Sequence, residues 1–200
     1  WFGAKFITPI VTEYLNQHPK VSATCWFLDR LVNMVEEGVD VAVRIAELPD
    51  SSLQAISVGR MRLVTCASPA YLARQGLPRT LADLASHNIV CAGAVAPGHE
   101  LRFSQDGRSR VLKMQPRLAT TTNESAVAAA VSDFGLTQQM LYKVAEPLAR
   151  GQLQEVLCDF EPPALPVHVL HREGRYASRR VRAFLDLAIE RLRALPELQA

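Results

Sequence analysis

The 200-residue chain has no run of 18 apolar residues, and no basic N-terminal region leads into an apolar stretch. Neither a membrane span nor a retained secretory signal is therefore expected. Charge of one sign is also missing: 22 Lys and Arg stand against 20 Asp and Glu, a formal +2 that gives no broad attraction to a phosphate backbone. Cysteine is scarce, and Cys25, Cys66, Cys91 and Cys158 lie too far apart for the close spacings of metal sites or redox pairs. The first three follow or sit in apolar stretches (TCWF, LVTCAS, NIVCAG), where a reduced, buried thiol is expected, as suits a cytosolic protein. The histidines His18, His87, His99, His168 and His171 form no H-E-x-x-H motif. His168 and His171, three apart in a strand, would point to opposite faces, which argues against a metal pair. There is no G-x-S-x-G elbow, phosphate loop or persuasive carboxylate pair, so neither an enzyme nor a bound metal or cofactor is expected.

What is present is apolar content of 48%, enough for a substantial core. Phe2, Phe6, Ile10 and Tyr14, widened by Ile7, Val11 and Leu15, predict an amphipathic helix ending before Pro19. Residues 21–28 (VSATCWFL) read as a strand, Asp29 as the cap of a helix over 30–38 stopped by Gly38, and 39–45 (VDVAVRI) as the next strand. This β-α-β order predicts a parallel sheet covered by helices.

Residues 53–68 predict two strands or one bent strand. Ser68 and Pro69 then announce a helix closed by Gly76, and Thr80 a short helix to Ser86, before the strand 88–92. Asp106-Gly107, between partly alternating stretches, predicts a β-hairpin. After an extended start, Thr121, Thr122 or Asn123 caps an alanine-rich helix reaching about Ser132; Thr121 with Glu124 would make a capping box. A strand from Gly135, a helix closed by Gly151, the strand-like LQEVLCDF and the linker-like EPPALP follow. The strand VHVLHR and a closing helix complete the chain, the helix with Val181, Leu185, Ala188, Leu192 and Leu195 on one face. The arrangement suggests one lobe of residues 1–68 plus 165–200 and a second of 69–164, with crossings near Ala67-Ser68 and Leu165-Pro166. A single doubly wound domain uses the same alternation, so the pattern alone leaves both open.

Longer phrases carry a resemblance. DRLVNMVEEGVDVAVRIAELPDSSLQAISVGRMRLVTCASPAYLARQGLPRTLADLASHNIV, then NESAVAAAVSDFGLTQQM, LARGQLQEVLCDFEPPALPVHVLH and RVRAFLDLAIERL, resemble in order and spacing the effector-binding domain of LysR-type transcription regulators. The resemblance runs from about Phe2 to Leu195. It implies an α/β fold of two Rossmann-like lobes joined by a two-strand hinge, like a type 2 periplasmic binding protein. It also implies a small-molecule effector, an organic acid or aromatic metabolite, held in the interlobe cleft; a homodimer or homotetramer; a cytoplasmic location; and promoter DNA contacted only through an N-terminal winged helix-turn-helix, absent from this chain. A periplasmic-type solute-binding protein and an α/β enzyme are the competing classes.

Helix starts at the carboxyl ends of strands favour an anion. Gly3, Ala4 and Lys5 open the first helix, and Lys5 is either a carboxylate partner or a solvated surface charge. Ser68 is a cap, an effector contact or both. Thr121, Thr122 and Asn123 supply more donors than one cap needs. Arg44 ends an otherwise apolar strand, where a guanidinium either clamps an effector carboxylate or pairs with a nearby acid. Phe27 offers apolar contact, as does neighbouring Leu28, or packs in the core, and Gln138 is a weaker polar candidate.

Overall fold

The computed structural model describes residues 1–28, 32–48, 54–93, 99–171 and 178–199. The described strands are β1 (Val41–Ile45), β2 (Gln54–Met61), β3 (Leu63–Ala67), β4 (Ile89–Ala92), β5 (His99–Gln105), β6 (Arg108–Met114), β7 (Leu118–Thr120), β8 (Leu136–Met140), β9 (Gln154–Val156) and β10 (Leu165–His171). The α-helices are α1 (Thr8–Gln17), α2 (Pro69–Gln75), α3 (Asn123–Val131), α4 (Leu141–Ala149) and α5 (Arg179–Arg193). The fold is α/β with mixed sheets, and the chain divides into two compact units, Trp1–Met61 with Leu165–Ala200, and Arg62–Ala164.

The first unit opens helically, as the spacing from Phe2 predicts, with Phe6, Ile10, Val11 and Tyr14 buried. The first turns, Gly3–Ile7, are π-helical and give way to α1 at Thr8. Pro9, which cannot donate a backbone hydrogen bond, sits at that change of winding. Helix α5 runs beside α1: the Tyr14 hydroxyl donates to the Arg180 carbonyl at 2.8 Å, and Arg191 grips Glu13 through two bonds of 2.6 and 2.9 Å. Val167 and Val169 of β10, both fully buried, and Leu185, Ala188 and Leu192 of α5 supply much of the unit's core.

Several expectations for this unit need correction. The sheet is antiparallel, ordered β1-β10-β2, so the β-α-β reading fails: β1 pairs with a strand more than a hundred residues away rather than with a parallel neighbour. Residues 21–28 form no strand. Their composition is β-prone, but a strand needs a ladder partner, and no described strand supplies one. Cys25 is accordingly exposed instead of buried. The expected cap Asp29, with Arg30 and Leu31, lies outside the described residues; the rest of the expected helix makes only a turn, closed by Glu37 N–H to the Asn33 carbonyl at 2.9 Å. Gly38 does adopt the left-handed backbone, φ +69°, that ends such a turn.

In the second unit a five-stranded sheet has the order β7-β4-β8-β3-β9, with β4 parallel to both neighbours and β3 antiparallel to both of its own. Its faces divide the core by strand alternation. Val64 and Cys66 of β3 pack with Val127, Ala130 and Val144 of α3 and α4, while Ala67 joins Tyr71, Leu84, Leu136 and Phe103 on the other face. Ser68 caps α2 by accepting from Tyr71 N–H at 3.1 Å, with Pro69 opening the helix. The segment from Leu81 to Ser86 is a 3-10 helix, its start held by Asp83 accepting from the backbone N–H groups of Arg79 and Thr80 at 2.8 Å each. β5 and β6 form the expected hairpin, Asp106 and Gly107 both at positive φ.

Candidate functional site

Of the ten residues singled out from sequence, five lie in each unit. In the first unit, Gly3 and Phe27 are brought together. A Cβ built on Gly3 would fall 2.1 Å from the Phe27 ring, so the missing side chain is what lets the ring sit on the helix start. Phe27 is nonetheless 48% exposed, which sets aside its reading as core. Ala4 is exposed beside it, whereas Lys5 pairs with Glu197 at 3.6 Å and lies 5.0 Å from the Phe6 ring. Lys5 also borders a groove of about 200 Å³ with Ile10, Glu13 and Arg191.

Arg44 stands on β1 directly opposite His168 of β10, and His168 opposite Ser57 of β2, so the three side chains share one face of the sheet. Arg44 is half-buried and has no hydrogen bond or ion pair among the described residues. His168 Nδ1 is buried with no hydrogen-bond partner, the one such side-chain atom among the described residues. No local pattern signals this neighbour, because antiparallel register joins residues far apart in the chain. His171 faces the other way, opposite Val41, so the two histidines are not a metal pair.

In the second unit the candidates are largely engaged with the protein. Ser68, buried, caps α2. Thr122 is the cap of α3: its hydroxyl accepts from Ser125 N–H at 3.2 Å and donates to Ser125 Oγ at 2.9 Å. The capping box based on Thr121 is thereby replaced, since the helix starts one residue later, with Asn123 as its first residue. Thr121 is exposed and Asn123 half-buried. Gln138 is occupied at both ends: Oε1 accepts from Arg102 N–H at 2.9 Å, while Nε2 donates to the Arg102 carbonyl at 2.8 Å and to Thr65 Oγ1 at 3.2 Å. With both amide protons used, Gln138 fastens β5 to the central sheet.

Arg62, Cys66 and Cys91 of the second unit are engaged with the protein itself. Arg62 binds Glu161 through 2.8 and 2.6 Å contacts and Glu155 at 2.7 Å, and these carboxylates hold the guanidinium firmly protonated. Burial pushes the Cys66 thiol up to about 12 and raises those of Cys91 and Cys158, so none is a ready nucleophile. No group of three or more His, Cys, Asp or Glu among the described residues could hold a metal ion. No helix among them is long and apolar enough to cross a membrane.

The fold is α/β, with mixed sheets in two compact units. Residues 1–193 match the model of the LysR substrate binding domain, and the chain belongs to that family. It is 31% identical over 182 residues to an uncharacterised HTH-type transcriptional regulator, YhjC, of Escherichia coli K12, covering 90% of this chain and 61% of that protein. Among solved structures it is similar to full-length AphB of Vibrio cholerae, described as a virulence activator, with TM-score 0.81, 20% identity, and 94% of this chain and 64% of that one covered. The regulatory domain of CrgA from Neisseria meningitidis matches with TM-score 0.78 and 23% identity, covering 96% of this chain and 94% of that domain. The chain thus spans about three-fifths of the length of the curated relatives it matches.

Proposed function

We propose that this chain is the effector-sensing and oligomerisation part of a LysR-type, DNA-binding transcription regulator. A small organic acid or aromatic metabolite enters a cleft between the two lobes, held by a two-strand hinge, and its binding is passed to a DNA-reading domain outside this chain. The whole protein works in the cytoplasm as a homodimer or homotetramer. The observation that carries the acidic-effector reading is Arg44. A half-buried guanidinium with no counter-ion among the described residues is costly, and a ligand carboxylate, accepting two of its N–H bonds, would offset that cost. Gly3, Ala4 and Phe27 would meet the apolar part of the guest, and Thr121 and Asn123 its polar atoms from the second lobe, with the hydroxyls of Ser68 and Thr122 contributing beyond their capping roles. Lys5 and Gln138 rank lowest, because each already has protein partners.

The test begins by screening small carboxylates and aromatics for thermal stabilisation, since a ligand bound only by the folded state raises its stability. Calorimetric titration of the best compound then compares wild type with Arg44→Ala. A charge-assisted hydrogen bond contributes about 1.5–3 kcal/mol, so affinity should fall roughly tenfold or more. Unfolding stability should change by less than about 1 kcal/mol, as is usual where no native partner is lost. Unchanged affinity would remove Arg44 from the site.

A further inference from the structure

The formal surplus of +2 is not spread over the chain. Residues 99–114 carry four cations, Arg102, Arg108, Arg110 and Lys113, against Glu100 and Asp106, and the rest of the sequence balances to zero. All four cations are exposed, and none has an ion pair among the described residues. Three of them lie on β6, which has no carboxylate and, among the described strands, no partner on its outer edge. The ribbon that presents them is fixed: Leu101 and Phe103 are buried in the core of the second unit, and Gln138 holds the Arg102 backbone by two bonds. A basic, rigidly mounted β-ribbon loses little freedom when it meets a row of negative charges.

From this we infer that the β5–β6 hairpin is an accessory contact for the phosphate backbone of duplex DNA, neutralising charge without reading bases. It rests on the proposed role of the whole protein at a promoter and adds a contact made by the sensing part itself. Phosphate is favoured over an acidic protein surface because the cations are spread along both strands and both faces of the ribbon. A linear polyanion can engage that spread, whereas a compact acidic patch cannot. Glu100 lies opposite Lys113 in the hairpin register and tempers that end, so the contact centres on Arg102, Arg108 and Arg110.

The chain is titrated against a fluorescent duplex of mixed sequence and binding is followed by anisotropy. Three phosphate contacts give a salt slope near −2.7, so affinity should fall about 40-fold between roughly 50 and 200 mM salt. The Arg108→Gln/Arg110→Gln/Lys113→Gln variant, altered only at exposed positions, should bind weakly at low salt and lose only about fourfold over the same range. Arg179→Gln/Arg180→Gln on α5 should behave as wild type. The inference is overturned if wild type shows no salt-dependent binding, or if the triple variant matches it. It is also overturned if the triple variant self-associates while duplex binding is unchanged, because the cations then merely guard an open strand edge. A complete regulator that binds its promoter with the same salt slope in wild type and triple variant rejects the hairpin contact alone. A complete regulator that binds no DNA rejects the proposed function instead.

Discussion

The two units treat their polar and apolar groups differently. In the second, the buried Thr137 accepts from Gln139 at 3.0 Å, Gln138 satisfies both Thr65 and the β5 backbone, and Phe103 is almost wholly enclosed. In the first, among the described residues, His168 Nδ1 has no hydrogen-bond partner and Arg44 no counter-charge, and Trp26, Phe27 and Leu28 are each about half exposed. An unsatisfied buried polar atom costs about 1–3 kcal/mol, so the first unit holds chemistry that its own packing does not use. Uncommitted groups of this kind tend to collect where function, not stability, selects the residue.

The largest effect that could break this contrast is at the aromatic anchors. Phe103→Ala leaves a cavity beneath the hairpin and should cost about 3–5 kcal/mol in urea unfolding. Phe27→Ala, already half in solvent, should cost less than about 1 kcal/mol. Equal losses would mean that Phe27 is a structural anchor and that the first unit is no more loosely committed than the second.

At Gly59 the first unit is the tight one. Its φ is +151°, and an added Cβ would lie 2.4 Å from the Leu198 carbonyl oxygen. Gly107, at φ +70° in the hairpin turn, has open space around it. Gly59→Ala should therefore cost about 1–3 kcal/mol or more through strain and displaced backbone. Gly107→Ala should cost about 1 kcal/mol through strain alone. Thermal unfolding of the two variants measures the difference, and a smaller loss at Gly59 would show that the Leu198 segment yields easily.

Where structure is decided locally, it could be read. Ser68-Pro69 announces α2 because a side-chain acceptor and a fixed φ act within one turn, and Asp106-Gly107 announces the hairpin because both residues tolerate positive φ. The sheet of the first unit could not be read so, since β1, β10 and β2 are joined by registers that no local pattern encodes. The same gap hid part of the candidate site. Arg44 stands out from its apolar strand, but that His168 is its neighbour follows only from pairing. Gln138 was visible as a polar residue in a strand, while its employment by Arg102, 36 residues earlier, was not.

The caps give a smaller test of the local half of that lesson. Thr122→Ala should lower stability by about 1 kcal/mol, the usual worth of an N-cap, and Thr121→Ala by less than about 0.5 kcal/mol. Urea midpoints of the two variants decide between them. The reverse order would restore Thr121 as the cap and shift the start of α3 by one residue.

The smallest effect concerns protons in the second unit. Tyr71 Oη accepts from Asn88 N–H at 2.9 Å, so its own proton is free to go to His87 Nδ1 at 3.1 Å. Burial holds the His87 imidazole below its ordinary value of 6.5, while Asp83 pulls weakly the other way. Burial likewise raises the Tyr71 hydroxyl and keeps it a donor, with Arg74 and Arg117 opposing that shift. A histidine that is harder to protonate when folded binds fewer protons in the native state than in the unfolded one. Its contribution is thus fully present above the unfolded pKa and is lost as pH falls through 6.5 towards the lower folded value. Urea unfolding of wild type between about pH 5 and 8 should show stability rising and then levelling, against the reference histidine pKa. His87→Gln keeps an acceptor for Tyr71 but cannot titrate, so its slope in the acidic part of that window should be shallower. If the two slopes coincide, His87 is as solvated as an ordinary surface histidine, and the close satisfaction of polar groups in the second unit does not extend to this edge.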